Sequence, residues 1–358
     1  MSERYEWQRL AACLPEKGDG VLVTAAPDMR LLTGHHAEGA VMVTKEEACF
    51  FTDSRYIEAS EKAIGSMPCV CFSRLSDSLR DWCEAQGVRR LFLQAEHMSL
   101  AGFARWREAL PGVEVTDSDA ADGWLTELRT VKSPAQVEAI RAAQKLTDDG
   151  FSYILSRIEP GRTEREVALD LEFAIRRAGA EGVAFDFIVV AGENGSLPHG
   201  VPGDRVIRKG DLVTMDFGAK LNGWHSDMTR TVAVGEPADW QREIYETVWK
   251  AQTSCIAALK AGITCRAGDA VARDLIGAAG YGAFFGHGTG HGVGLEIHES
   301  PTLSPRGGDR PLRAGEIVTV EPGIYLPGKG GVRIEDMVLI TDEGCEDLTG
   351  SPKNLIIL

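Results

Sequence analysis

The sequence predicts an α/β (α+β) protein of two domains, residues 1–122 and 123–358. Three observations predict it. The chain has 358 residues, more than one domain usually holds. Short β-rich runs alternate with helical patterns through the first third, which favours a layered α/β arrangement. The remainder repeats one order of elements: helix, helix, then a hairpin with an acidic residue on each arm.

The totals set limits on partners. An apolar fraction of 44% and a charged fraction of 25% belong to an ordinary globular protein. A net charge of −15 argues against a nucleic-acid surface, which needs clustered Lys and Arg. The opening MSERYEWQRL carries both signs of charge and no apolar stretch, so it does not read as a secretory signal. No apolar run is long enough to span a membrane. The eight cysteines are scattered without a C-x-x-C pair. They read as reduced thiols of a cytoplasmic protein. Cys69-Val-Cys71 reads as two strand thiols rather than a metal pair.

In the first domain, β-rich runs fall at Gly20–Ala25, Ala40–Thr44, Ala48–Thr52, Arg90–Gln94 and Val113–Thr116. Helical patterns fall near Ser54–Ile64, Ser76–Gln86 and Ser99–Leu110. No chemical constellation stands out there; adjacent His35 and His36 read as loop residues. The acidic stretch Asp117–Asp122 reads as a linker.

The second domain opens with Ser133-Pro134, a helix start. Ile140, Thr147, Phe151, Ile154 and Ile158 keep helical spacing up to Glu159-Pro160-Gly161. The next helix begins at Thr163 with Glu166 three residues on, a capping-box pattern. His199, beside Pro198 and Gly200, is a loop residue that gains meaning only if a site exists elsewhere.

Two β-rich runs then flank Asn222-Gly223, the strongest short hairpin signal. With these as the turn residues, Asp216 faces Thr229, and Asp227 shares that sheet face because it lies two residues from Thr229. Two carboxylates so placed repel each other and are costly to bury unless a cation lies between them. Helical patterns at Trp240–Lys260 and Arg266–Ala279 follow, then another pair of β-rich runs holding Glu321 and Glu335. Two such halves face to face would bring four carboxylates together. Within the second half, after its helices and before its hairpin, runs Gly286–Glu299, with three histidines in twelve residues and five glycines. Histidine is the commonest metal ligand, and glycine lets a backbone approach a ligand closely. Four carboxylates and one imidazole, without a thiolate, suit Mn²⁺, Co²⁺ or Zn²⁺. They exceed what one catalytic zinc uses, and two ions roughly 3.5 Å apart would use them all.

Met215-Asp216-Phe-Gly-Ala, Ser226-Asp227-Met-Thr-Arg, Gly288-Thr-Gly-His291-Gly-Val-Gly-Leu-Glu-Ile-His298-Glu, Val320-Glu321-Pro-Gly-Ile-Tyr and Val332-Arg333-Ile-Glu335-Asp336 together resemble the proline-specific pita-bread metallopeptidases of family M24. These are prolidase (Xaa-Pro dipeptidase) and aminopeptidase P. The resemblance covers about residue 125 to the end. Met29-Arg-Leu-Leu-Thr-Gly34 and Phe51-Thr-Asp-Ser-Arg-Tyr56 resemble the creatinase-type N-terminal domain.

The resemblance implies a C-terminal pita-bread fold with pseudo-twofold αα-hairpin repeats. It implies two divalent ions per subunit, Mn or Co first and Zn as a third candidate. Asp216 would ligate one ion, His291 and Glu321 the other, and Asp227 and Glu335 both. Glu321 would also move the proton of a bridging hydroxide's parent water. His298 and His199 resemble the histidines that contact substrate and the tetrahedral intermediate; His287 and Arg333 resemble outer or substrate-binding positions. Arg333 is also in phase with Glu335 along its strand and could fix that carboxylate. The implied activity is hydrolysis of the Xaa-Pro bond of dipeptides or peptide N-termini, by a homodimer. The alternatives are a methionine-aminopeptidase-like enzyme, whose family generally lacks a first domain of this kind, and a non-catalytic pita-bread binding protein, in which ligands are usually missing.

Overall fold

Residues 19–116 alternate strand and helix as the sequence predicts, and the strands assemble into one sheet. A computed structural model describes residues 5–358. The chain divides into two units, Met1–Arg129 and Thr130–Leu358. In the first, six strands lie in the spatial order Cys69–Cys71, Ala48–Thr52, Ala40–Thr44, Asp19–Val23, Arg90–Leu93, Glu114–Thr116. The three central strands are buried along their whole length. That pattern reflects helices covering both faces, and it accounts for their continuous apolar sequence. Helices Glu6–Cys13 and Ala26–Thr33 are present without having been legible in the sequence.

The expected linker carries a helix instead. Helix Ala120–Thr130 contains residue 122, so the compact units part at its end. Its apolar side explains it: Ala121, Leu125 and Leu128 are buried, and Trp124 meets Phe92 edge-on at 5.0 Å. The acidic residues that read as a linker occupy only its first turn and the approach to it.

The second unit repeats helix, helix, hairpin. Helix Pro134–Leu155 is capped by Ser133 Oγ, which accepts from the Gln136 amide, and it pairs with helix Glu164–Arg177. Thr163 and Glu166 close the expected capping box, with Thr163 Oγ1 accepting from the Glu166 amide. Each such cap contributes about 1 kcal/mol. Helix Asp239–Ala258 pairs in the same way with helix Cys265–Ala278.

The hairpins carry the site. In the first, Leu212–Phe217 pairs with Met228–Ala233, and Ala219–Leu221 with Trp224–His225, all in the predicted register: Asp216 faces Thr229, and Lys220 faces His225. Asn222 at φ 49° and Gly223 at φ 80° form the turn, the two positive angles a type I′ turn requires. The ladder breaks at Gly218, where a β-carbon would lie 1.8 Å from the Ser226 carbonyl oxygen. Thr147 Oγ1 and Ser226 Oγ both accept from the Ala219 amide and seal the break. Asp227 sits at that break. In the second hairpin, Ile317–Val320 pairs with Asp336–Ile340, and Gly323–Leu326 with Gly330–Arg333. Its break leaves Glu321 and Glu335 just outside the strands rather than within them. Both hairpins therefore interrupt their ladders beside acids, Asp227 in the first and Glu321 and Glu335 in the second, while Asp216 stays within its strand.

Candidate active site

The two hairpins meet through their broken ladders. The Glu335 amide donates to the Thr229 carbonyl oxygen at 3.1 Å, and Thr231 Oγ1 donates to the Arg333 carbonyl oxygen at 2.9 Å. Asp227, Glu335 and His291 thereby offer three ligand atoms all within 4.8 Å of one another. Glu321 joins them, its Oε1 lying 3.4 Å from His291 Nε2, and its amide donates to the Thr289 carbonyl oxygen. Asp216, in the strand before the first break, acts electrostatically on Asp227, Glu321 and Glu335.

The electrostatics call for a cation. Burial raises Asp227 and Glu335 well above the usual carboxylate range, and the surrounding carboxylates add to it. Burial likewise lifts Glu321 to about 8, with Asp216 adding and Arg333 opposing. His291 Nδ1 faces the Gly292 carbonyl oxygen at 3.1 Å, which assigns the proton to Nδ1. Its Nε2 lone pair then points at Asp227 Oδ2, 3.5 Å away, and at Glu321 Oε1. Burial, and then neighbouring His298, lower this imidazole to about 4. Asp216 Oδ1 is buried without a hydrogen-bond partner. A lone pair facing carboxylates and an orphaned buried oxygen are both satisfied by a hard or borderline divalent ion. The residues present therefore fit a metal centre.

Arg333 is the cation built into the site. Its side chain is 4% exposed, and Nη2 donates to Asp216 Oδ2 at 2.6 Å. Its direct partner is thus Asp216. It reaches Glu335 through Thr229: Nε donates to Thr229 Oγ1 at 3.0 Å, and that hydroxyl donates to Glu335 Oε2 at 2.7 Å. Nη1 donates to the Tyr325 hydroxyl at 2.8 Å and to the Pro198 carbonyl oxygen at 3.2 Å. Burial pulls this guanidinium down, but Tyr325, Asp216 and Glu321 outweigh it, and the net shift is upward. His287 ends the chain: Nδ1 donates to the Gly288 carbonyl oxygen, so Nε2 accepts from Tyr325. Burial first, then Arg333, depress His287 to about 4.

His298 and His199 are exposed. The His298 ring meets the His291 ring edge-on at 4.4 Å, and burial of part of it, with His199 nearby, lowers its pKa. His199 also acts on His287. All nine residues singled out in the sequence thus lie in one neighbourhood.

Two glycines of Gly286–Gly294 also make room for neighbouring strands. A β-carbon at Gly290 would lie 1.9 Å from the Thr319 carbonyl oxygen, and one at Gly292 2.4 Å from that of Ser300. At these two positions glycine admits the neighbouring strand.

Sequence reasoning missed the groups behind the site. Asp269 Oδ1 accepts from the Thr289 amide at 3.0 Å and the Thr289 hydroxyl at 2.8 Å. Arg273 is paired with Asp269 and donates to the carbonyl oxygens of Phe285 and His287. Arg230, 1% exposed, donates to the carbonyl oxygens of Thr229 and Glu335 and pairs with Asp336 at 2.7 Å. Arg230, three residues after Asp227, and Asp336, one after Glu335, are charged groups within β-rich runs. That is a signal, but one whose partner the sequence does not name.

Residues 138–342 match metallopeptidase family M24, and residues 7–131 match the creatinase/prolidase N-terminal domain. The chain is 42% identical to the uncharacterized peptidase YqhT of Bacillus subtilis over 342 residues, 95% of this chain and 96% of that protein. The structure is similar to an Xaa-Pro dipeptidase from Bacillus anthracis: TM-score 0.94, 42% identity, 99% of each chain covered. It is also similar to an X-Pro aminopeptidase from Thermotoga maritima MSB8: TM-score 0.90, 35% identity, 95% of this chain and 97% of that one. No described helix is long and apolar enough to cross a membrane. The creatinase-type first domain and the pita-bread second domain expected from the motifs are both present, and the chain belongs to metallopeptidase family M24.

Proposed function

We propose that this protein is an Xaa-Pro dipeptidase that uses two divalent ions. The observation that carries the reading is the convergence of Asp227, His291 and Glu335 beside a buried Asp216 oxygen that lacks any partner. The Bacillus anthracis dipeptidase supports the substrate class. Cleavage of longer peptides is the second reading, supported by the Thermotoga maritima aminopeptidase.

Asp216, Asp227, His291, Glu321 and Glu335 would hold the ions, with Asp227 and Glu335 shared between them. When bound, such a pair supplies Lewis acidity and a hydroxide nucleophile near neutral pH. Glu321 accepts the proton of the attacking water and returns it to the leaving nitrogen of proline. His298 and His199, at the exposed edge, bind the substrate and donate to the developing oxyanion. Arg333 holds Asp216 directly and Glu335 through Thr229, so one guanidinium fixes two ligands. Tyr325 keeps its proton directed at His287 Nε2. We take Mn²⁺ or Co²⁺ as the ions, with Zn²⁺ third, and the enzyme as a cytoplasmic homodimer.

The test is hydrolysis of Gly-Pro beside a Xaa-Pro-Xaa tripeptide, using metal-stripped protein with Mn²⁺, Co²⁺ or Zn²⁺ added back. Metal-dependent cleavage of the dipeptide is expected. Cleavage of the tripeptide alone would establish the aminopeptidase reading, and silence on both would overturn the substrate class.

A further inference from the structure

Glu164 is a buried carboxylate outside the ligand set that grips a segment carrying a site residue. It is the first residue of helix Glu164–Arg177 and is 0% exposed. Its Oε1 accepts from the Ala191 amide at 2.8 Å and from Asn194 Nδ2 at 3.0 Å. Its Oε2 accepts from the Gly203 amide at 3.1 Å and from Asn194 Nδ2 at 3.3 Å. Ala191 and Gly203 are the two ends of the segment that carries His199. The helix start reinforces the grip: the Arg165 amide donates to the Gly203 carbonyl oxygen at 3.1 Å, and the Glu164 amide to that of Arg205. The middle of the segment is held from the other hairpin, where Arg333 donates to the Pro198 carbonyl oxygen.

A buried carboxyl group is costly unless its oxygens are satisfied. Here both are, by donors drawn from both ends of one segment. Glutamine, the nearest isostere, offers one acceptor oxygen and sets its NH₂ against another N–H donor. We propose that Glu164 is a positioning residue for His199: it clamps both ends of segment 191–203, so that the imidazole is presented at the edge of the metal site. The inference rests on the assignment of His199 to the substrate.

Hydrogen exchange of the intact protein tests the clamp directly. In Glu164→Gln and in Asn194→Ala, amides of residues 191–203 should exchange about tenfold faster or more, while those of 212–233 and 317–340 stay protected. On Gly-Pro with metal restored, kcat of Glu164→Gln should fall about 10- to 100-fold, with bound metal at the wild-type level. The double variant Glu164→Gln/His199→Ala should be no slower than His199→Ala alone, because a residue acting only through His199 has nothing further to lose. A purely structural role would instead multiply the two losses. Unchanged exchange in segment 191–203, or multiplying losses, overturns the proposal. Should Glu164→Gln not fold, Asn194→Ala carries the exchange test. A wild type silent on Gly-Pro would count against the substrate reading, while the exchange result would still decide the clamp.

Discussion

In the first half of the metallopeptidase unit, the hairpin break has glycine on one arm and Asp227 on the other. In the second half, the break has a carboxylate on each arm, Glu321 and Glu335. The scaffolds behind them differ as well. Behind the first, Glu164 accepts from two backbone amides and an asparagine. Behind the second, Asp269 is paired with Arg273 while also holding Thr289, whose carbonyl oxygen takes the Glu321 amide. The element order is shared, yet neither half holds the whole cluster: Asp227 comes from the first, His291 and Glu335 from the second. The difference shows how a repeated order of elements brings unlike residues to one asymmetric cluster.

That comparison can be broken by removing Asp227, the acid the first half contributes to the cluster. Asp227→Asn should abolish retained metal, measured by elemental analysis, and lower activity by about 10³-fold or more. Turnover at the wild-type level would remove Asp227 from the centre. His298→Ala, by contrast, should lower kcat by about 10²–10³-fold while metal content stays unchanged; a variant that loses metal would make His298 a ligand.

The scaffolds should part in stability. Asp269→Asn strips Arg273 of its buried partner and should cost about 2–3 kcal/mol in urea unfolding. A loss under 1 kcal/mol would mean that the pair does not secure the Thr289 segment. The acids of the second break give a pH signature. In metal-free protein Glu321 sits at about 8 against an ordinary 4.5, so the native state binds the extra proton. Its contribution to stability is full below pH 4.5 and lost as pH rises through 8. Metal-free wild type should therefore lose several degrees of Tm relative to Glu321→Gln between pH 5 and pH 8. A constant difference across that window would contradict the raised pKa. Smallest of all, Asn222→Ala places alanine at φ 49° and should cost about 1 kcal/mol without altering metal content.

Much of the site could be read from the sequence because its signals are local. Asn222-Gly223 fixes the turn, and the turn fixes that Asp216 faces Thr229. Periodicity alone does not reveal that both ladders break beside the acids, so Glu321 and Glu335 read as strand residues. The gripping groups are invisible for another reason: Arg230 meets Asp336 across 106 positions, and Glu164 meets Gly203 across 39. Nothing local distinguishes Glu164 from a first-turn acid that favours its own helix. The acidic start of helix Ala120–Thr130 masks it, although Ala121, Leu125 and Leu128 carry its buried side.

The central claim is that both hairpins together bind a pair of ions. It is tested most directly by titrating metal-stripped protein with Mn²⁺ or Co²⁺ in a calorimeter, alongside Asp227→Asn and Glu335→Gln. The account predicts two ions per wild-type chain and the loss of both to either substitution. A wild type that binds none, or variants that each retain both ions, would contradict it.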